Sequence, residues 1–279
     1  MLPHRTAYAA ALLAAVLASG SAVSGCSGSG GTVSPTRAPQ GRTTAAYTAS
    51  RADAGTPTGE DMRVTADRLR KRATALGLKG TDVRVDGTVV TIVAPRQDAG
   101  RLRQLTGTAL LEFRPVLDPA TAGQNGLAQA YASMVCGSTT RATPSLPERP
   151  TVACDKAAGQ KYLLGPASLG GAQVESASAA FDSATGSGWL VDLTFNAAGG
   201  TTFAQVTGSL AQRTEPADQL AILVDGEVVS APAIRSAITG GKAQISGTFT
   251  KEEAENLAAA ISSGALPVQL TARGGATRP

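Results

Sequence analysis

Apolar residues recur at spacings of four and three between Glu60 and Leu76, where Met62, Ala66, Leu69, Ala73 and Leu76 form one stripe of an amphipathic helix that Gly77 ends. Its other face carries Arg63, Arg68, Arg70, Lys71 and Arg72 and reads as a solvated basic surface. The period then drops to two. Val83 to Val85 and Thr88 to Ala94, joined through Asp86-Gly87, predict a hairpin with one buried face. A short helix over Asp98 to Leu105 and a strand over Ala109 to Val116 complete a first helix-plus-sheet unit.

A second set of elements fills the C-terminal half. Val174 to Phe181 and Trp189 to Phe195 predict a hairpin, and Asn196 caps a helix that turns Phe203, Val206 and Leu210 inward. The pair Gly199-Gly200 weakens that helix's first turn. Ala221 to Val224 and Val228 to Ser230 flank Asp225-Gly226, whose residue types tolerate the positive φ angles of a two-residue hairpin. A strand over Gln244 to Ser246 follows. Thr250 and Glu253 then make a capping box before the stripe Ala254, Leu257 and Ile261, and Gly264 ends the helix. Helices mixed with mainly antiparallel strands predict an α+β fold with helices on one sheet face.

The words AILVDGEVVSAPAI, ISGTFTKEEAENLA and GALPVQL between Ala221 and Leu270 closely resemble the first extracytoplasmic domain of SecD, a subunit of the bacterial SecDF translocation complex. The resemblance extends to Tyr162-Leu163-Leu164-Gly165-Pro166 and to Gly188 through Phe195. Arg68 to Leu76 and Leu110 to Val116 resemble the start of the same domain. It implies a ferredoxin-like base carrying a head subdomain. The expected division is a lipoprotein signal peptide over 1–25, a flexible linker over 26–57 and a base over 58–117. A disulfide-closed loop region over 118–165, a head over 166–264, and a C-terminal strand and tail over 265–279 follow.

The N-terminus bears on the compartment. Arg5, the apolar run Ala9 to Leu17 and Val23-Ser24-Gly25-Cys26 have the shape of a secretory signal with a lipoprotein processing site, in which the Cys26 thiol accepts the lipid. The plainer alternative is an ordinary cleaved signal with an incidental cysteine. Residues 27–57 are rich in Ser, Gly, Thr, Pro and Ala without an apolar period and read as a tether. With Cys26 lipidated, Cys136 and Cys154 remain, an even pair suited to an oxidising compartment. They bracket a Pro-rich stretch from Thr143 to Pro150, and a bridge there adds roughly 3 kcal/mol in the chain-entropy model. Two free thiols or a metal pair are the alternatives.

Composition narrows the chemistry. The one histidine, His4, lies in the signal segment, so the rest of the chain lacks the usual general base and the commonest metal ligand. No phosphate loop, zinc-protease helix or calcium loop is present. Glu175, Asp182 and Asp192 near the head strands are the candidates for paired-carboxylate work, a reading that yields to that of scattered solvated acids. Residues 27–116 hold 14 Lys/Arg against 8 Asp/Glu, whereas residues 172–270 hold 4 against 10. Anionic lipid would attract the basic half by about 1 kcal/mol per side chain, although a solvated face explains it as well. Nucleic acid is an unfavourable partner for an exported chain without aromatic-interleaved basic patches.

We therefore expect a non-enzymatic protein held by lipid at the extracytoplasmic face of the cell membrane, with no cofactor and no metal. Its partners are exported polypeptides and SecDF or other Sec components. A cell-envelope sensor or ligand-binding module that reuses the fold is the alternative. The expected site residues are Cys26 for lipidation and Cys136 with Cys154 for the disulfide. Trp189 is expected to pack in the core, and the exposed rim of the head's hairpins to be the contact surface. Family members continue into a transmembrane proton-coupling bundle. The expectation here is a chain without one.

Overall fold

The computed structural model describes residues 41–53, 55–120, 126–137, 146–155 and 159–273. The expected signal segment, Cys26 and most of the expected linker lie outside them. In chain order the first elements are β1 (Arg42–Ser50), α1 (Gly59–Ala75), β2 (Asp82–Asp86), β3 (Val89–Pro95), a 3-10 segment (Arg96–Thr106) and β4 (Leu111–Pro115). Next come α2 (Leu127–Ser133), β5 (Thr151–Asp155), β6 (Gln160–Leu164), β7 (Leu169–Gly170), β8 (Val174–Asp182), β9 (Gly188–Phe195) and α3 (Ala197–Leu210). The last are β10 (Leu220–Val224), β11 (Glu227–Ser230), β12 (Lys242–Phe249), α4 (Lys251–Ser263) and β13 (Gln269–Ala272). The fold is α+β.

The base is one antiparallel sheet in the order β13-β1-β3-β2. With α1 crossing from β1 to β2, and with α4 packed on α1 and leading into β13, this is the ferredoxin-like βαββαβ path. The head is inserted between β3 and β13, and its last helix, α4, packs on α1 of the base as well as on the head sheet. The linker expectation fails at its C-terminal end, because residues 42–50 form an inner strand paired on both sides. Only Tyr47 and Ala49 of β1 are buried, and a run made mostly of Thr and Ala carries too little apolar contrast to show a period of two.

β1, α1, β3 and the 3-10 segment close a core that includes Tyr47, Met62, Leu69, Ile92, Leu102 and Leu105. Leu266 and Val268 return to it from the far end of the chain. The stretch expected to be a helix over Asp98 to Leu105 is this longer 3-10 segment. The turn between β2 and β3 is also shifted by one residue. Asp86 pairs with Val89, so Gly87-Thr88 occupy the corner, and Gly87 supplies its positive φ of 55°. At Asp225-Gly226 both residues take positive φ, 53° and 80°, as the sequence predicts.

β4 was expected in the base and belongs to the head. It pairs with β10 and β7 in the sheet β11-β10-β4-β7. Four of its five residues are buried because both faces are covered. Leu111 and Phe113 face the main head core together with Val191, Leu193, Phe195, Phe203 and Ile261. A smaller core on the other side joins Val116 to Ala153, Leu164 and Val228. Residues 118–165 supply Ala153, Tyr162 and Leu164 to that second core and are not merely a loop: they hold α2 and the β5–β6 hairpin.

The second head sheet, β12-β9-β8, packs its apolar face on α4. α3 begins at Asn196, whose side chain accepts from the Gly199 amide at 2.8 Å. Gly199 has a packing role besides its helical cost, since a Cβ there would lie 2.7 Å from the Gln173 carbonyl oxygen.

Candidate functional site

The chain crosses between base and head twice, at residues 107–110 and at residues 264–268, and a single guanidinium holds both crossings. Arg72 belongs to the arginine-rich face of α1 that was expected to be solvated, yet it is 1% exposed. Its Nε donates to Ser263 Oγ at 2.8 Å; Nη1 donates to the carbonyls of Leu105, at 2.8 Å, and Gly107; Nη2 donates to those of Thr108, at 3.4 Å, and Gly264, at 3.0 Å. An arginine carries five N–H donors, and each has an acceptor here.

Burial pushes this guanidinium down to about 10, opposed by the Asp225 carboxylate, and leaves it charged at neutral pH. Further contacts stiffen the junction. Arg68 donates to the Ala265 carbonyl, and the Leu266 amide donates to the Thr108 carbonyl at 2.8 Å. Asp225, at the hairpin corner, accepts from the Thr108 hydroxyl and from the Leu110 amide at 2.8 Å. Between these crossings and β7 lies an open cleft of about 430 Å³, bounded by Arg68, Leu110, Glu112, Pro147, Leu169 and Ala265. Its walls are mainly apolar, with Arg68 at the rim.

A second buried arginine organises the insert. Arg114 and Glu112 share one face of β4, and the guanidinium grips the carboxylate at 3.1 and 3.2 Å while both side chains are almost wholly buried. Arg114 also donates to the carbonyls of Leu146, Arg149 and Gly165, which ties the Pro-rich stretch and the end of β6 to β4. Sequence reasoning missed both arginines. A charged pair at i and i+2 on a strand reads as its wet face, and nothing local says that a hairpin will cover it.

At the far end of the second head sheet, Trp189 stands beside Phe181 on one side and Phe249 on the other. The Phe181 and Trp189 ring centroids are 5.3 Å apart. Trp189 packs against the core as expected but only in part, whereas Phe181 is 60% exposed.

Comparison with known proteins matches the family model for the SecDF P1 head subdomain to residues 149–268. The Streptomyces coelicolor protein translocase subunit SecD is 43% identical over 158 residues, covering 54% of this chain and 27% of that protein. The Thermus thermophilus subunit SecDF is 34% identical over 224 residues, covering 78% and 28%. A solved structure of SecDF, described as a membrane component that enhances protein export, superposes with a TM-score of 0.56 at 32% identity. It spans 83% of this chain and 97% of the solved one.

The chain belongs to the SecD/SecDF family. SecDF solved in a super-membrane-facing form also shares its architecture, with a TM-score of 0.58 at 28% identity over 86% of this chain and 32% of that one. The chain spans little more than a quarter of the two curated SecD and SecDF relatives. The P1 head match begins just before β5 and ends before β13, so it takes in the β5–β6 insert, α3 and α4.

The remaining expected residues of this SecD relative are dispersed. Cys136 follows α2 and Cys154 lies in β5; the structure joins them, with Cα atoms 5.5 Å apart across a sequence separation of 18. Asp192 is opposite Ser178 on the sheet and accepts from Gln244 at 3.0 Å. Asp182, four residues further along β8, holds its own turn through the amides of Ala184 and Thr185. A bond from the Thr185 hydroxyl, with these two from the amides, holds its carboxyl below the usual range. Glu175 is exposed near the start of β8. The three carboxylates therefore face no common cleft. Among the described residues no cluster of three or more His, Cys, Asp and Glu forms a metal site, and no helix is long and apolar enough to cross a membrane.

Proposed function

We propose that this protein is a non-enzymatic, lipid-anchored member of the SecD/SecDF family that binds exported polypeptide, or docks on the Sec machinery as an accessory, at the extracytoplasmic face of the cell membrane. The observation that carries the reading is the superposition over 97% of a solved SecDF chain. That superposition takes in 83% of this chain, and the P1 head match covers residues 149–268. The cleft beside β7 is open, and β12 and β8 are the outer strands of their sheet, features that suit an extended polypeptide better than an enclosed small ligand. Cys26 is the lipid acceptor in this reading, and Cys136 with Cys154 is an oxidised pair closing the insert.

Crosslinking in intact cells with mass spectrometry tests the whole. Secretory polypeptides or Sec components are expected above a Cys26→Ala control, and their absence defeats the proposal. Alkylation of the purified chain before and after reduction tests the disulfide: label on Cys136 and Cys154 is expected only after reduction. A mature chain whose residue 26 carries no acyl group removes the anchor and leaves the polypeptide reading to the crosslinking result.

A further inference from the structure

The aromatic residues of the head are divided in an unusual way. The chain has five phenylalanines and one tryptophan. Phe113, Phe195 and Phe203 are buried together. The other two phenylalanines and the sole tryptophan form one row across three strands. Phe181 of β8 and Phe249 of β12 each pair with Trp189 of β9, so all three rings are on one face of the sheet. Further along that face Val191, Leu193 and Ile245 are almost wholly buried. α4 covers that stretch with Ala254, Ala258 and Ile261, but begins only at Lys251, beside the row.

The row depends on a local irregularity. In β12 the register slips between Ser246 and Phe249, so two residues are looped out and Phe249, not Gly247, stands opposite Trp189. The Phe249 ring then lies where a side chain at 247 would be, since a Cβ added to Gly247 would sit 3.1 Å from it. A scattered exposed apolar residue needs no explanation, but a contiguous aromatic row with an exposed member marks an interaction surface.

Charge selects the partner. Residues 172–270 carry 10 Asp/Glu against 4 Lys/Arg. Glu252, Glu253 and Glu255 occupy the first turns of α4 after Phe249. The indole face already holds a cation: Lys251 Nζ is 5.8 Å from its centroid and 3.7 Å from Glu255 Oε1, on a side chain that is 64% exposed. A lysine or arginine of a partner can take that place with Glu255 as its counter-charge while neighbouring apolar side chains stack on Phe181.

We infer that the Phe181–Trp189–Phe249 row is a docking surface for an extended polypeptide segment that combines apolar and basic residues. The inference rests on the polypeptide-binding reading above and names where, and which sequences, the head binds. Trp189 is the only tryptophan, so its emission reports on this surface alone.

The test titrates the purified chain with a short unstructured peptide of leucine, lysine, glycine and serine, and with its counterpart carrying glutamate at every lysine. Affinity is read by calorimetry and the site by Trp189 emission. The lysine peptide is expected to shift that emission to the blue and to bind about ten-fold tighter than the glutamate peptide, with the difference shrinking in salt. Phe181→Ala is expected to weaken binding by about ten-fold or more. Its ring is mostly exposed, and an unchanged thermal melt shows that the fold persists. Lys251→Ala, which frees the indole face, is expected to strengthen binding about two- to five-fold.

Calorimetric binding with unchanged Trp189 emission and an indifferent Phe181→Ala overturns this inference and leaves polypeptide binding standing elsewhere. Equal affinity for the glutamate peptide overturns it through its charge argument. No binding of either peptide overturns it together with the polypeptide reading. A blue shift produced by phosphatidylcholine–phosphatidylglycerol vesicles and not by peptide overturns it in favour of a lipid contact.

Discussion

One face of one strand, β9, meets two different fates. At its C-terminal end Phe195 is 5% exposed and packs edge-on to Phe113 at 5.5 Å and against Phe203 at 4.8 Å. At its N-terminal end, six residues or about 20 Å away, Trp189 is only partly covered and its neighbour Phe181 is 60% exposed. The side chains are alike, so chemistry does not separate the ends. Coverage does: β4 and α3 bring Phe113 and Phe203 over Phe195, whereas α4 starts level with Trp189 and runs away from the exposed ring. The covered end serves stability, and the open end is free for a partner.

The largest effects belong to the covered end. Phe203→Ala is expected to cost about 3–5 kcal/mol in urea unfolding, since a cavity opens between two rings and α3. A cost below about 1 kcal/mol would erase the contrast between the ends. Arg72→Met extends the test to the junction from which β4 leads to Phe113. Removing the guanidinium takes its donors from four carbonyls and a hydroxyl, of which the Thr108 carbonyl keeps the Leu266 amide, and about 3 kcal/mol is expected. Limited proteolysis should then cut at residues 107–110 or 264–268 before it cuts the head sheets.

Gly199→Ala is next. It forces a methyl to 2.7 Å from the Gln173 carbonyl oxygen, and an expected loss of about 1–3 kcal/mol, with α3 displaced, is read from urea melts and near-ultraviolet circular dichroism. Phe181→Ala, at the open end, should stay within about 0.5 kcal/mol of the parent. A larger loss would make that ring structural.

The smallest effect is acid-dependent. Glu253 accepts the Thr250 amide at 2.8 Å and Asp61 accepts the Thr58 amide at 2.9 Å, bonds that hold both carboxyls below their ordinary values. For a depressed acid the stabilisation is complete above the unfolded value, near pH 4, and fades as pH falls through the lower folded value. A modest drop in melting temperature below about pH 4 is expected. Glu253→Gln should flatten the part of it that Trp189 emission reports from the start of α4, and Asp61→Asn the part reported by the melt of the whole chain.

How much of this was legible in the residues depends on the range of the interaction. The capping box Thr250/Glu253, the Asp225-Gly226 corner, the β8–β9 hairpin and the Asn196 cap are contacts within a few residues, and all are present where the sequence places them. β1 escaped notice because its Thr-Thr-Ala-Ala run has little apolar contrast and no period of two. β4 looked like a base strand because it follows the base elements, but its partners come from over fifty and a hundred residues later. The rim of the head's hairpins was legible as a surface, while the row within it required knowing that β12 slips its register by two residues at Gly247.

The chain by itself therefore determined its capped helices and most of its hairpins, its α+β class and, through the words it shares with SecD, its family. Tertiary structure alone decided which charges are wet and which aromatics are covered. Arg114 and Glu112 share a strand face that reads as wet, yet the Pro-rich stretch and the end of β6 cover it and leave both side chains almost wholly buried; Arg72, by contrast, stands three residues after Leu69 on the buried stripe of α1, where spacing alone could have placed it. The physical reason is that periodicity records which face a side chain occupies, whereas its free energy depends on what another part of the chain, often a hundred residues distant, lays against that face.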